Sequence, residues 1–296
     1  MLFNTDNKVI FYDGAMGTML QKYGLKPGDM PDLLCITQPS AVLEVHKAYI
    51  EAGSDLICTN TFGANTFALR DTNYTPEEII SSAVSIAKQA VEETVVHDKN
   101  INNNINGRRK TLVVLDIGPI GLLLEPFGDL EVSEAKEMFA RQAIAGEIAG
   151  ADLVAIETMG DLNEMEAAIT AVSENTKLPI LATMTFDKNG RTYMGVAVED
   201  FITLAEKTGV TAMGMNCSLE PKEMYQIAEK MANISHLPLI FKLNAGLPDG
   251  ETGLYTVGPE EFARQMLPYL DLNMRIVGGC CGTSPEYIKE LKKTLL

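Results

Sequence analysis

The stretch SEAKEMFARQAIAGEIAGADLVAIET, residues 133–158, decides the fold. It opens on Ser133-Glu134, a cap and an acid suited to a helix's first turn, and runs helix-like to an exit glycine at Gly150. An apolar run of strand length follows at 153–156 and delivers Glu157-Thr158 at its end. The same alternation recurs along the whole chain. Strands are predicted at 9–12, 55–58, 111–116, 153–156, 179–184, 212–215, 237–241 and 274–277. Helices are predicted at 40–52, 76–96, 133–150, 162–174, 198–208, 221–232, 259–269 and 285–294. The strand runs are continuously apolar instead of alternating, the pattern of a parallel sheet covered by helices. Eight such units predict a closed (β/α)8 TIM barrel forming one domain over residues 1–296, with an open doubly wound sheet as the lesser alternative.

Composition agrees with a barrel of this kind. The chain has 296 residues, 46% hydrophobic and 22% charged, enough apolar material for a large core. Its net charge of −16 argues against nucleic acid or an anionic membrane surface as partner. Five cysteines in so long a chain are no disulfide scaffold. Residues 1–8 are polar and lack a signal-peptide core, and no apolar run is long enough to span a bilayer. A soluble, reducing, cytoplasmic setting is the simplest expectation.

A barrel gathers its chemistry where strands end. Asp13-Gly14-Ala15-Met16-Gly17-Thr18 follows the first strand, the 59–65 loop the second, Asp116 ends the third and Glu157 the fourth. Cys217 ends the sixth, Asn244 follows the seventh and Cys280-Cys281 end the eighth. Three thiolates at strand ends hold zinc with its fourth position open, the composition of a catalytic rather than a structural site. An open position on a thiolate-rich zinc suits another thiol. Coordination deprotonates that thiol, and three thiolate ligands leave its sulfur electron-rich. Cys35 and Cys58 are expected to pack as small hydrophobes, Cys58 also lining the pocket, His46 to support packing, and His97 and His236 to lie on the far surface. The asparagine-rich segment 98–110, with Arg108 and Arg109, is expected to be a surface insertion away from the site.

Six motifs in order carry a family resemblance. They are the 13–18 turn, the TNTFGAN loop at 59–65, MTFD at 184–187 with Gly190-Arg191, Asn216-Cys217-Ser218, Asn244-Ala245-Gly246, and GGCCGT at 278–283. Together they resemble the homocysteine S-methyltransferase family, most closely the homocysteine-binding module of cobalamin-dependent methionine synthases. The resemblance covers essentially the whole chain. It implies a (β/α)8 barrel, zinc held by Cys217, Cys280 and Cys281, and homocysteine as methyl acceptor. It supports Glu157 as the acceptor of the substrate ammonium. From residue chemistry, Asp13 is expected to aid it or organise the turn, and Asn216 and Asn244 to orient substrate or its neighbours. The turn residues Gly14, Ala15, Met16, Gly17 and Thr18 are expected to offer backbone amides to a carboxylate.

One departure stands out. The family's Pro-Asn-Ala-Gly reads Lys242-Leu243-Asn244-Ala245-Gly246 here. The sequence also holds no second barrel and no Asp-x-His-x-x-Gly motif, so the methyl group is expected on a separate molecule. A methylated corrinoid (methylcobalamin) on a partner protein docked at the barrel mouth is favoured, with S-methylmethionine or a betaine as alternatives. A non-catalytic zinc-binding or thiol-redox protein stays open as a different class.

Overall fold

The computed structural model describes residues 9–101 and 110–296, without the side chains of 95–101. Residues 1–8, residues 102–109 of the asparagine-rich segment and the His97 side chain lie outside the described residues. Eight strands follow one another: β1 (Ile10–Phe11), β2 (Leu56–Cys58), β3 (Leu112–Ile117), β4 (Leu153–Met159), β5 (Ile180–Met184), β6 (Ala212–Cys217), β7 (Leu239–Leu243) and β8 (Met274–Gly279). The barrel helices are α1 (Pro39–Ala52), α2 (Pro76–Ile101), α3 (Val132–Ala149), α4 (Leu162–Asn175), α5 (Val198–Thr208), α6 (Pro221–Ile234), α7 (Pro259–Met266) and α8 (Pro285–Leu295). No helix among the described residues is long and apolar enough to cross a membrane.

Every strand pairing is parallel, in the order β1-β8-β7-β6-β5-β4-β3-β2. The two ends of that order meet. Tyr12 bridges Leu56, and the Asp55 N–H donates to Phe11 O at 2.6 Å. That contact removes the open-sheet alternative and gives the predicted TIM barrel.

The barrel buries two cores. Between sheet and helices lie Phe139, Phe201, Phe262, Tyr269 and their neighbours, each contributing roughly 1.5–3 kcal/mol by leaving water. Inside the lumen, Ile10, Leu56, Val114, Leu153, Leu181, Ile240 and Ile276 fill the lower layers. Close strand approach at one point demands glycine: a Cβ on Gly214 would lie 1.9 Å from Ile240 O.

The observed strands β3, β4, β6, β7 and β8 outrun the predicted apolar segments by one to three residues at their C-terminal ends. Pairing is a property of the backbone, so β4, β6 and β7 continue through the buried polar residues Glu157, Asn216 and Lys242. The predicted helix at 259–269 divides, with a 3-10 turn taking over at Leu267, next to Pro268.

Candidate active site

Each strand end sets one part of the site. At the end of β6 the chain turns left-handed at two non-glycine residues, Cys217 (φ +54°) and Ser218 (φ +63°), and Thr158 beside them has φ +62°. Such conformations cost about 1–3 kcal/mol each and persist only where surrounding bonds hold them. Asn216 supplies those bonds. Its Oδ1 accepts from Thr158 N and from Thr183 Oγ1, both at 2.8 Å, while its Nδ2 donates to Thr158 Oγ1 at 2.6 Å. Asn244 Nδ2 donates to Ser218 O at 3.0 Å. Both asparagines are buried and stand behind the cavity, where they fix the Cys217 loop. They were expected to orient substrate or its neighbours, and neither lines the cavity.

At the end of β8, Cys280 N donates to Leu243 O at 2.8 Å, and Thr283 Oγ1 donates to Cys280 O at 2.7 Å. The turn closes at Gly282, whose φ of +81° and tight fit against the Tyr255 ring leave no space for a Cβ. Cys217 Sγ thereby lies 2.9 Å from Cys280 Sγ and 3.7 Å from Cys281 Sγ. The three sulfurs fall within 4.8 Å of one another, half-buried and facing one cavity. Tyr255, unnoticed in the sequence, packs its ring against Gly282 beside the vicinal cysteines. Hydrogen bonding within the trio, first with Cys280, pushes the Cys217 thiol up, whereas bonds first from Cys217 and then Cys280 hold Cys281 down. Converging thiols with one already favouring the thiolate form are a soft-metal donor set, and zinc fits it.

The cavity measures about 430 Å³. Gly14–Thr18 line one side, Pro31, Asp32, Thr59, Asn60 and Phe62 another, and Cys58, Asp116, Glu157 and Lys242 the floor. The loop 13–18 forms a short helix from Met16 to Leu20, with Ala15 N donating to Thr283 Oγ1 at 3.2 Å and Tyr49 Oη donating to Ala15 O at 2.9 Å. Asp13 lies beneath this turn, 2% exposed, with Oδ2 accepting from Cys58 N at 2.7 Å. Burial pushes its carboxyl up to about 7, against the pull of Lys242.

Lys242 is the residue whose role the sequence left undefined. It points into the lumen, 5% exposed, with Nζ 2.6 Å from Glu157 Oε2 and 4.1 Å from the Tyr12 ring centroid. Burial opposes its ammonium, but Cys58, Glu157, Asp13 and Asp116 outweigh that and hold its pKa well above the usual value. Burial raises both Glu157 and Asp116. Period-two alternation along β7 (Ile240, then Lys242) and β3 (Val114, then Asp116) was the available signal for both. Cys58 lines the cavity as expected, Cys35 is buried with Sγ donating to Asn60 O at 3.4 Å, His46 is buried in α1, and His236 is on the surface.

With this geometry in view, a model of the homocysteine S-methyltransferase family matches residues 10–295. The chain belongs to the homocysteine S-methyltransferase family. It is 29% identical over 312 residues to methionine synthase of Mycobacterium tuberculosis, covering 98% of this chain. Identity to methionine synthase of Mycobacterium leprae is also 29%, over 300 residues. The chain spans 25% and 24% of those two relatives' lengths. Its fold is that of the homocysteine methyltransferase MmuM from Escherichia coli. The oxidized form superposes with a TM-score of 0.82 at 22% identity, over 98% of this chain and 96% of that one. The metallated form gives 0.80, over 96% of each chain.

Proposed function

We propose that the protein methylates the thiol of homocysteine to give methionine, as a homocysteine-binding barrel using zinc held by Cys217, Cys280 and Cys281. The single observation that carries this reading is the convergence of the three sulfurs on one cavity at the barrel mouth. A free thiol near pKa 8.5 is mostly protonated at neutral pH, and zinc, when bound, keeps an incoming one deprotonated. A cytoplasmic, reducing setting keeps the three ligands free for that role.

The chain's own residues do the rest. The 13–18 turn gives a glycine-rich wall against which an amino acid's backbone fits, and the carboxylates of the floor attract its ammonium. Asn216 and Asn244 hold Cys217 in place before the acceptor arrives. The acceptor sulfur then forms a bond to the methyl carbon as the methyl–donor bond breaks, and the thiol proton has left for solvent. The leaving electron pair stays with the donor.

The donor we favour is a methylated corrinoid on a partner protein. Phe62, Leu122, Leu123, Phe127, Tyr193, Leu247 and Leu254 are exposed on the loops that follow strands, giving the mouth an apolar rim suited to a carrier. The test is methionine formation from homocysteine and free methylcobalamin by zinc-loaded protein, beside Cys217→Ala. Turnover lost in the variant supports the reading. Turnover only with S-methylmethionine or a betaine reassigns the donor, and zinc binding without homocysteine binding overturns the acceptor in favour of a zinc or redox protein.

A further inference from the structure

The cavity floor carries more acid than its one cation answers. Of the cavity-lining residues described, Lys242 alone is basic, against Asp116 and Glu157 on the floor and Asp13 beneath it. Lys242 is committed: its Nζ holds Glu157 Oε2 at 2.6 Å, faces the Tyr12 ring and lies 3.9 Å from Cys58 Sγ. Asp116 is not. It is 7% exposed, its Oδ1 is buried without a partner, and its bonds to Thr59 and Thr61 are made by its backbone. Native proteins leave few buried polar atoms unpaired, and an unpaired carboxylate is a costly one.

A divalent metal is a poor answer to that vacancy. Cys58, Asp116 and Glu157 offer ligand atoms within 4.8 Å of one another, but the Lys242 ammonium already contacts two of the three residues. A metal there would meet like charge at short range. A ligand ammonium entering from the cavity has no such conflict if it settles on Asp116. Glu157, tied to Lys242, offers it a carboxylate whose charge is already neutralised.

We propose that Asp116 binds the α-ammonium of the amino-acid acceptor, and that Lys242 is the specificity-determining residue that shifts this task from Glu157 to Asp116. The inference rests on the homocysteine reading above. It makes the pocket selective for thiols that carry an ammonium, because an acceptor without one leaves Asp116 unanswered.

The experiment compares homocysteine with 4-mercaptobutanoate, the same thiol acid without its amino group, by calorimetric binding and by steady-state methylation. Asp116→Asn is expected to raise the homocysteine Kd and KM by roughly tenfold or more, with kcat and 4-mercaptobutanoate binding little changed. Lys242→Met frees Glu157, so homocysteine binding is retained and adding Asp116→Asn in that background costs less than about threefold. An unchanged homocysteine Kd in Asp116→Asn overturns the proposal, as does an equal loss for both thiols in a folded variant. Loss of homocysteine binding in Lys242→Met alone also overturns it, by making Lys242 itself the contact. Wild-type protein that binds neither thiol overturns the acceptor reading instead.

Discussion

Asn216 holds Thr158 by two hydrogen bonds, Oδ1 accepting from the Thr158 N–H at 2.8 Å and Nδ2 donating to its hydroxyl at 2.6 Å. The pair ties the end of β4, which carries Glu157, to the end of β6, which carries Cys217. It also fixes three left-handed residues, Thr158, Cys217 and Ser218, that would otherwise relax. The converging cysteines and the acid floor thus share one support.

Asn216→Ala removes three hydrogen bonds from a fully buried position and leaves Thr158 N and two threonine hydroxyls unpaired. The expected cost is about 2–4 kcal/mol in denaturant unfolding, together with weaker zinc binding. Zinc affinity equal to that of the parent protein would show that the Cys217 loop holds its shape unaided.

Metal removal is expected to separate fold from function. The barrel buries its core without the three cysteines, so chelation or Cys280→Ser leaves the circular dichroism spectrum unchanged while abolishing methyl transfer. Zinc content measured alongside activity checks this. Activity persisting at zero zinc sinks the zinc assignment.

Stability is expected to fall as pH rises between roughly pH 4 and 7. Burial pushes Glu164 up to about 7 and Asp32 up to about 6, so the folded state binds more protons than the unfolded one across that window. The stabilisation is therefore present at low pH and is lost as pH passes through the folded values. Glu164→Gln keeps an acceptor for Ile120 N, bonded now at 2.8 Å, and removes the buried charge. It should gain about 2 kcal/mol at pH 8 and little near pH 4, read from unfolding midpoints. A pH-independent effect contradicts the burial argument.

Gly282→Ala places a methyl group into the Tyr255 ring at a φ of +81°. The expected loss is about 2–4 kcal/mol, with the vicinal cysteines displaced and zinc affinity reduced more than in a Gly250→Ala control, where a Cβ meets open space. Equal zinc affinities in the two variants would remove Gly282 from the site's support.

The amino-acid sequence by itself determined eight strand–helix units around a parallel sheet and the face on which the chemistry collects, while closure into a barrel was decided by the contact between the first two strands. The units and the face rest on local signals: apolar runs, helix caps and exit glycines that read the same in any context. It also picked out Cys217, Cys280 and Cys281, because vicinal cysteines between glycines make poor core. Where each strand stops was not legible, since backbone pairing carried β4, β6 and β7 through polar residues, and β8 through two glycines, that look like loop. Nor was the ion pair between Lys242 and Glu157, residues 85 positions apart whose meeting depends on strand register around the lumen. Only the closed tertiary structure decided that Asn216 and Asn244 stand behind the site, that Asp13 lies under its turn, and that Asp116 faces the cavity unpaired. Electrostatic partnership inside a barrel follows from three-dimensional proximity in a buried lumen, and no local pattern encodes it.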